Sequence, residues 1–295
     1  MHPIPWRAYA LLAASTSLVG SYVGLSKLLV AVFPVFLLAG LRFGFAAVLM
    51  LPWLKKPADE APLDTRSRVL LFLESFLGNF LFSICMLFGL RQSSAVVAGV
   101  IMAGIPAAVA LLSWAFLRER LGGRVIAGIA CAVGGITLVA LGKHGGAETS
   151  PLGALLLLAA VFCEGCYVVI GKKLTAGLTP RRISALINLW GLVLVTPLAI
   201  WQGLSFDFTA PRLQDWALLA YYAATASVIT VWLWMAGLRG LPAAKAGVFM
   251  VFLPISTALI GLLLGETMSG AQALAYGLAL LGVLLATWPA KPVPR

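Results

Sequence analysis

Residues 94–117, SAVVAGVIMAGIPAAVALLSWAFL, have a near-copy 148 residues later at 242–264, PAAKAGVFMVFLPISTALIGLLL. Aligned without a gap, the two stretches match at Ala95/Ala243, Ala98/Ala246, Gly99/Gly247, Val100/Val248, Met102/Met250, Pro106/Pro254, Ala110/Ala258 and Leu111/Leu259. At about 1.5 Å of rise per residue, each is long enough to cross a bilayer as a helix, and each carries its proline near the midplane. A proline there removes one backbone donor and clashes with the carbonyl four residues back. The spacing therefore predicts a freed or weakened carbonyl at Met102 and at Met250, and a bendable point in each helix. Pro106 and Pro254 are the candidate hinges.

Outward from this pair, apolar runs of about twenty residues recur along the whole chain. With 61% hydrophobic and 11% charged residues in 295, the composition excludes a water-soluble globule and defines an all-α polytopic membrane protein. The first run, 6–28, is too long for the apolar core of a signal peptide and is followed by further spans, so it is expected to be retained. Cys85, Cys131, Cys163 and Cys166 all fall within apolar runs and read as small packing residues rather than a disulfide framework.

Charged and Pro/Gly punctuation divides the chain into ten spans, roughly 6–28, 33–53, 69–90, 94–117, 123–142, 151–174, 181–201, 214–237, 242–264 and 270–288. An even number puts both termini on one side. The loops and tails of that side hold fifteen Lys and Arg residues against four on the other, Lys27, Arg91, Lys143 and Arg212. By the positive-inside rule both termini are cytoplasmic. The +11 net charge is this loop bias and carries no implication of nucleic-acid binding.

The repeat is wider than the proline helices. Leu11, Ala14, Gly20, Tyr22, Lys27 and Leu29 match Leu156, Ala159, Gly165, Tyr167, Lys172 and Leu174 at a spacing of 145. Gly89-Leu90-Arg91 matches Gly237-Leu238-Arg239 at 148. The chain thus reads as two five-helix halves, 1–146 and 147–295. Because five is odd, the second half enters the membrane from the opposite face, giving inverted repeats. Such repeats favour a transporter with its site near the midplane at their interface.

The run Gly20-Ser21-Tyr22 ending in Lys27, the Leu41-Arg42-Phe43 of span two, the mid-helix prolines, Glu119 and Leu264-Gly265-Glu266 together resemble EamA-type members of the drug/metabolite transporter superfamily. The resemblance covers nearly the whole chain. It implies a ten-helix exporter of amino acids or other small metabolites in a bacterial inner membrane, similar to the YddG-like aromatic amino-acid exporters. Val19, Arg118 and Ala275 depart from residues common in that family.

Few polar groups lie inside the spans. Arg42 is a candidate partner for a substrate carboxylate, or a structural cap. Glu164, beside Gly165 and Tyr167, is either a proton-coupling or amine-binding group or a carboxyl hydrogen-bonded to a neighbouring helix. Lys245 reads as snorkelling to the cytoplasmic surface, and Glu74 as similarly near a span end. Asn79 and Asn188 are expected to bond between helices. Tyr22, Tyr167, Met102 and Met250 would give a soft, largely apolar pocket lining, with Asn79, Glu164, Pro106 and Pro254 beside it. Trp6, Trp53, Trp216 and Trp288 read as an interfacial belt, with Trp190, Trp232 and Trp234 deeper. Gly40-x-x-x-Gly44 and Gly261-x-x-x-Gly265 allow close helix approach.

Enzymatic constellations are missing from the sequence. The only histidines, His2 and His144, lie far from the cysteines, there is no phosphate loop or G-x-S-x-G, and Glu164 has no intramembrane Asp companion. No metal or cofactor is implied. The expected partners are a small-molecule substrate and the lipid bilayer, with the chain a monomer or homodimer. A channel would need polar rings through the spans; it and a non-transporting scaffold are the alternatives to a transporter.

Overall fold

The structure, a computed structural model, describes residues 6–57, 60, 62–117, 123–141, 150–175, 177–239 and 248–287. In the first half it has helices α1 (Trp6–Val32), α2 (Val35–Met50), α3 (Thr65–Ser75), α4 (Phe82–Arg91), α5 (Ala95–Met102), α6 (Ile105–Leu117) and α7 (Gly123–Leu141). The second half has α8 (Pro151–Leu174), α9 (Pro180–Gly203), α10 (Leu213–Ala223), α11 (Thr230–Arg239), α12 (Phe252–Leu263) and α13 (Gly270–Thr287). There is no strand among the described residues. Among the described residues, seven helical segments are long and apolar enough to cross a membrane, and three shorter apolar helices occupy sequence spans five, nine and ten. Lys245, Glu119, Arg118, Trp288, both histidines, residue 146 and the charged tails lie outside the described residues.

Local chemistry sets the helix starts. Asp64 accepts the Ser67 N–H at 2.9 Å, Ser94 that of Val97 at 3.1 Å, and Ser150 that of Gly153 at 2.9 Å. Each satisfies one of the donors that a helix start leaves unpaired. Pro151 and Pro180 open α8 and α9, where a missing N–H costs nothing.

The proline helices differ from the expected single bent rod. Span four is interrupted at residues 103–104, ahead of the proline; the Gly104 N–H turns back to the Ile101 carbonyl at 2.9 Å, and Pro106 sits second in the new helix α6. Proline disfavours α geometry in the residue before it and tolerates the first turn of a helix, so the rod ends early and restarts. Met102 is thereby the last residue of α5, and its carbonyl belongs to a helix terminus. In the second copy a 3₁₀ turn, Val248–Val251, precedes α12, with Pro254 third in that helix.

A second irregularity recurs between the halves. A π turn, Phe76–Leu81, joins α3 to α4, and another, Ala224–Ile229, joins α10 to α11. Their start points are 148 residues apart, the spacing of the sequence repeat.

Packing exchanges between the halves in matched pairs. Within lipid, apolar area gives helices little reason to associate, and small residues that admit close approach take over. A Cβ at Gly20 on α1 would lie 2.2 Å from the Leu253 carbonyl oxygen on α12. One at Gly165 on α8 would lie 2.8 Å from Leu112 on α6. Likewise Gly237 on α11 receives Leu12, and Gly89 on α4 receives Leu157. The second helices of the halves, α2 and α9, pack on each other, as do the last, α7 and α13. Of the two GxxxG patterns, Gly40 meets Ala199 closely whereas Gly44 and Gly265 have nothing near, so each pattern contributes one close approach. Gly265 has φ +85°, the left-handed conformation that ends α12.

One end of the bundle is tied across the halves. The Glu266 carboxylate, following α12, accepts the Ala95 and Val96 N–H groups at 2.9 Å each, at the start of α5. Lys27, near the end of α1, donates to the Leu90 carbonyl at 2.9 Å and to that of Ser93. At the opposite end Arg182 pairs with Glu60. One expectation changes: Glu74 is not near a polar surface but fully buried. Trp190 is 41% exposed and packs against Phe72.

Candidate functional site

A central cavity of about 60 Å³ is lined by both halves. It has room for a few water molecules. From α1, Ser15, Val19 and Tyr22 reach it at positions i, i+4 and i+7 of one helical face. Glu164 and Tyr167 do so from α8, three residues apart. The two π turns contribute Gly78 with Asn79, and Ala226. The glycine is needed there, since a Cβ on Gly78 would come within 2.5 Å of the Tyr167 Cβ.

The wall follows the repeat, and its charges break it. Tyr22 faces the cavity with its equivalent Tyr167, and Ile105 with Leu253. Glu164 stands where the first half has Val19, and Arg42 where the second half has Ile187; all four line the cavity. Each half thus supplies one ionisable group opposite an aliphatic counterpart.

Arg42 is 3% exposed. It donates to the Ser83 hydroxyl at 2.7 Å and approaches the Asn79 Oδ1 at 3.5 Å, at the limit of a hydrogen bond. Its guanidinium carbon lies 4.0 Å from the Phe43 ring centroid and 5.6 Å from that of Tyr222. Aromatic faces and hydroxyls hold it by weak attractions that a carboxylate can outbid. These four contacts are uncharged, and its Nε has no partner among the described residues. Glu164 likewise has no ion pair or hydrogen bond among them. The two groups face one cavity without pairing to each other.

Asn79 bonds across helices, donating to the Ile187 carbonyl at 3.2 Å, and Asn188 donates to that of Ser227, also at 3.2 Å. Both therefore reach backbone rather than another amide. Of the other candidates, Met250 lines the cavity. Met102, Pro106 and Pro254 are buried but not on its wall; their neighbours Ile105 and Leu253 are. The break ahead of each proline turns the preceding residue inward.

Sequence reading missed the hydroxyl band of Ser15, Thr16 and Thr230, together with Ser83. Ser15 caps the Thr230 carbonyl at 2.9 Å, Thr16 the Phe249 carbonyl at 2.8 Å, and the Thr230 hydroxyl the Thr225 carbonyl at 2.9 Å. These bonds satisfy carbonyls of the second π turn, of the helix after it and of the 3₁₀ turn, where irregular backbone at membrane depth must find partners. Trp234 was placed deep in its span but not at the cavity, which it lines with an indole N–H that has no partner among the described residues.

A duplicated helical bundle with seven segments, among the described residues, long and apolar enough to cross a membrane, and with a polar cavity between its halves, has the build of a multi-pass membrane protein. Both halves match the EamA-like transporter family, over residues 6–141 and 151–288, and the chain belongs to that family. It is 34% identical over 264 residues to the uncharacterized transporter YetK of Bacillus subtilis, covering 88% of this chain and 80% of YetK. It is 26% identical to a probable amino-acid metabolite efflux pump of Escherichia coli K12, over 85% of each chain. With the uncharacterized inner membrane transporter YedA of the same strain it shares 27% identity, over 88% of this chain and 85% of YedA. One crystal structure superposes with a TM-score of 0.65 at 19% identity, covering 94% of this chain and 95% of the other, a likeness of fold. The protein is a multi-pass component of the bacterial inner membrane.

Proposed function

We propose that the protein exports amino acids, or small metabolites of similar charge pattern, by alternating access through the central cavity. The carrying observation is that Arg42 and Glu164, one from each half, face the cavity without pairing. A zwitterion fits this pattern, its carboxylate on Arg42 and its ammonium on Glu164, while Tyr22, Tyr167, Met250 and Trp234 would meet an apolar or aromatic side chain. A substrate of that size needs more room than the cavity offers, so the described conformation is a contracted state of the cycle. On this reading the ten spans are two inverted five-helix repeats, 1–146 and 147–295, with both termini cytoplasmic and neither ATP nor a bound cofactor involved.

Purified protein in liposomes tests the assignment. Amino acids should exchange across the membrane. Glu164→Gln should weaken them by about 10- to 100-fold, as expected for one charge-assisted bond, while sparing analogues that lack the amine. Arg42→Gln should do the converse, sparing amines that lack the carboxylate. Equal losses for both analogue classes would remove the zwitterion reading, and no exchange of any amino acid would remove the transport assignment.

A further inference from the structure

Glu74 is fully buried, and neither carboxyl oxygen has a hydrogen-bond partner among the described residues. It lies four residues ahead of Gly78, one helical turn from the cavity wall. A Cβ at Gly171 would come 2.7 Å from its Oε1 and 3.1 Å from the Met235 methyl. Oε1 and the Met235 methyl thus both flank the bare backbone of α8 at Gly171.

An ionised carboxylate in such a place needs a counter-charge. The elements packed on α3 are α8, α9 and the first π turn. α8 presents Glu164 and Tyr167, neither of them cationic, and its Lys172 and Lys173 are exposed. On α9, Arg182 is held by Glu60 and Arg181 lies over Trp53. The π turn, FLGNFL, has no charge, Arg239 at the end of α11 is exposed, and Arg42 forms no ion pair with Glu74 among the described residues. A metal cation would require several ligands around it, and no cluster of three or more His, Cys, Asp or Glu side chains able to hold one occurs among the described residues. A substrate ammonium cannot enter a contact that one methyl group would overfill. A proton is the counter-charge that fits.

We propose that Glu74 is a proton-binding site through which export is coupled to proton entry. This rests on the transport reading above. The carboxylate takes up a proton on one side of the cycle, forming an O–H bond, and gives it up on the other, so that one proton crosses inward as substrate leaves. Two short routes join it to the cavity. One is the turn of its own chain to Gly78 and Asn79. The other is a single face of α8 on which Glu164, Tyr167 and Gly171 stand at i, i+3 and i+7. The repeat equivalent of Glu74 is Tyr222, so the carboxyl belongs to one half alone and the coupling is one-sided. Release of the proton requires water at Glu74, hence separation of α3 from Gly171; the packed arrangement is the protonated state.

Two measurements decide it. In proteoliposomes, with labelled phenylalanine, threonine and lysine as probes, gradient-free counterflow reports transport and a pH step reports coupling. Wild type should show both, with up to about tenfold accumulation per pH unit for one proton per substrate. Glu74→Gln should keep counterflow and lose the accumulation. Infrared difference spectra on acid–base cycling should show a protonated-carboxyl band that Glu74→Gln abolishes, and that the shorter acid in Glu74→Asp displaces should the glutamine variant not fold. Accumulation retained in Glu74→Gln, wild-type counterflow without accumulation, or a band unaffected by both variants each overturns the proposal. Absent counterflow with every probe counts against the transport reading, and the infrared result then still decides Glu74.

Discussion

Glu266→Ala should open the end of the bundle tied by Lys27 and Glu266. The Glu266 carboxylate joins the second half to the first by accepting two N–H bonds of 2.9 Å at the start of α5, where the helix dipole also favours negative charge. A bond to a charged group contributes about 1.5–3 kcal/mol. Glu266 is only partly buried, so screening reduces the pair to about 2 kcal/mol. If the tie exists only while that mouth is closed, its loss shifts the open-to-closed ratio about 30-fold. The assay is a protein with Cys85, Cys131, Cys163 and Cys166 replaced and a single cysteine at Val19 on the cavity wall, labelled from the outer face by a membrane-impermeant maleimide. Glu266→Ala should speed labelling by up to that factor. Glu266→Gln, with one acceptor oxygen left, should fall between. An unchanged labelling rate in Glu266→Ala alongside a lowered melting temperature would refute the reasoning and make Glu266 a static helix cap.

Two further outcomes follow from the packing. A methyl at Gly20 meets the rigid Leu253 carbonyl at 2.2 Å, whereas one at Gly165 meets the movable end of Leu112 at 2.8 Å. Gly20→Ala should therefore cost about 1–3 kcal/mol, and Gly165→Ala clearly less, in detergent melting; equal losses would contradict it. Pro106→Ala and Pro254→Ala should leave the protein folded, because they permit helix continuation across the breaks, yet bias opposite ends of the cycle. Cysteine accessibility measured from both faces reads this, and identical profiles for the two variants would refute the hinge.

The membrane class and the duplication were legible because they rest on composition and on residues recurring at one spacing, both properties of the chain read linearly. Six candidate residues, among them Tyr22, Arg42 and Glu164, meet at one cavity because a rare polar or repeated aromatic group in an apolar helix stands out before folding. Glu74 was misplaced because its depth was counted along its own helix, while its burial comes from the elements packed on α3, which are α8, α9 and the first π turn. Met102 left the wall because the helix broke three residues earlier than the proline itself, a choice between bending and restarting that backbone energetics decides. FLGNFL and ATASVI have no composition that marks a π turn, so the hydroxyls that serve the irregular backbone near them stayed hidden among ordinary span residues.

Those two turns also govern what the cavity sees. Each accommodates one residue more than α winding would, and every side chain beyond it is rotated by about 100° relative to an unbroken helix. Deleting one residue within 76–81 would swing Ser83 away from Arg42 and leave that cation without its hydroxyl. The same deletion within 224–229 would carry Thr230 and Trp234 off the passage while their identities stayed unchanged. Helical phase, set by a single surplus residue in each half, therefore decides which side chains the cavity presents.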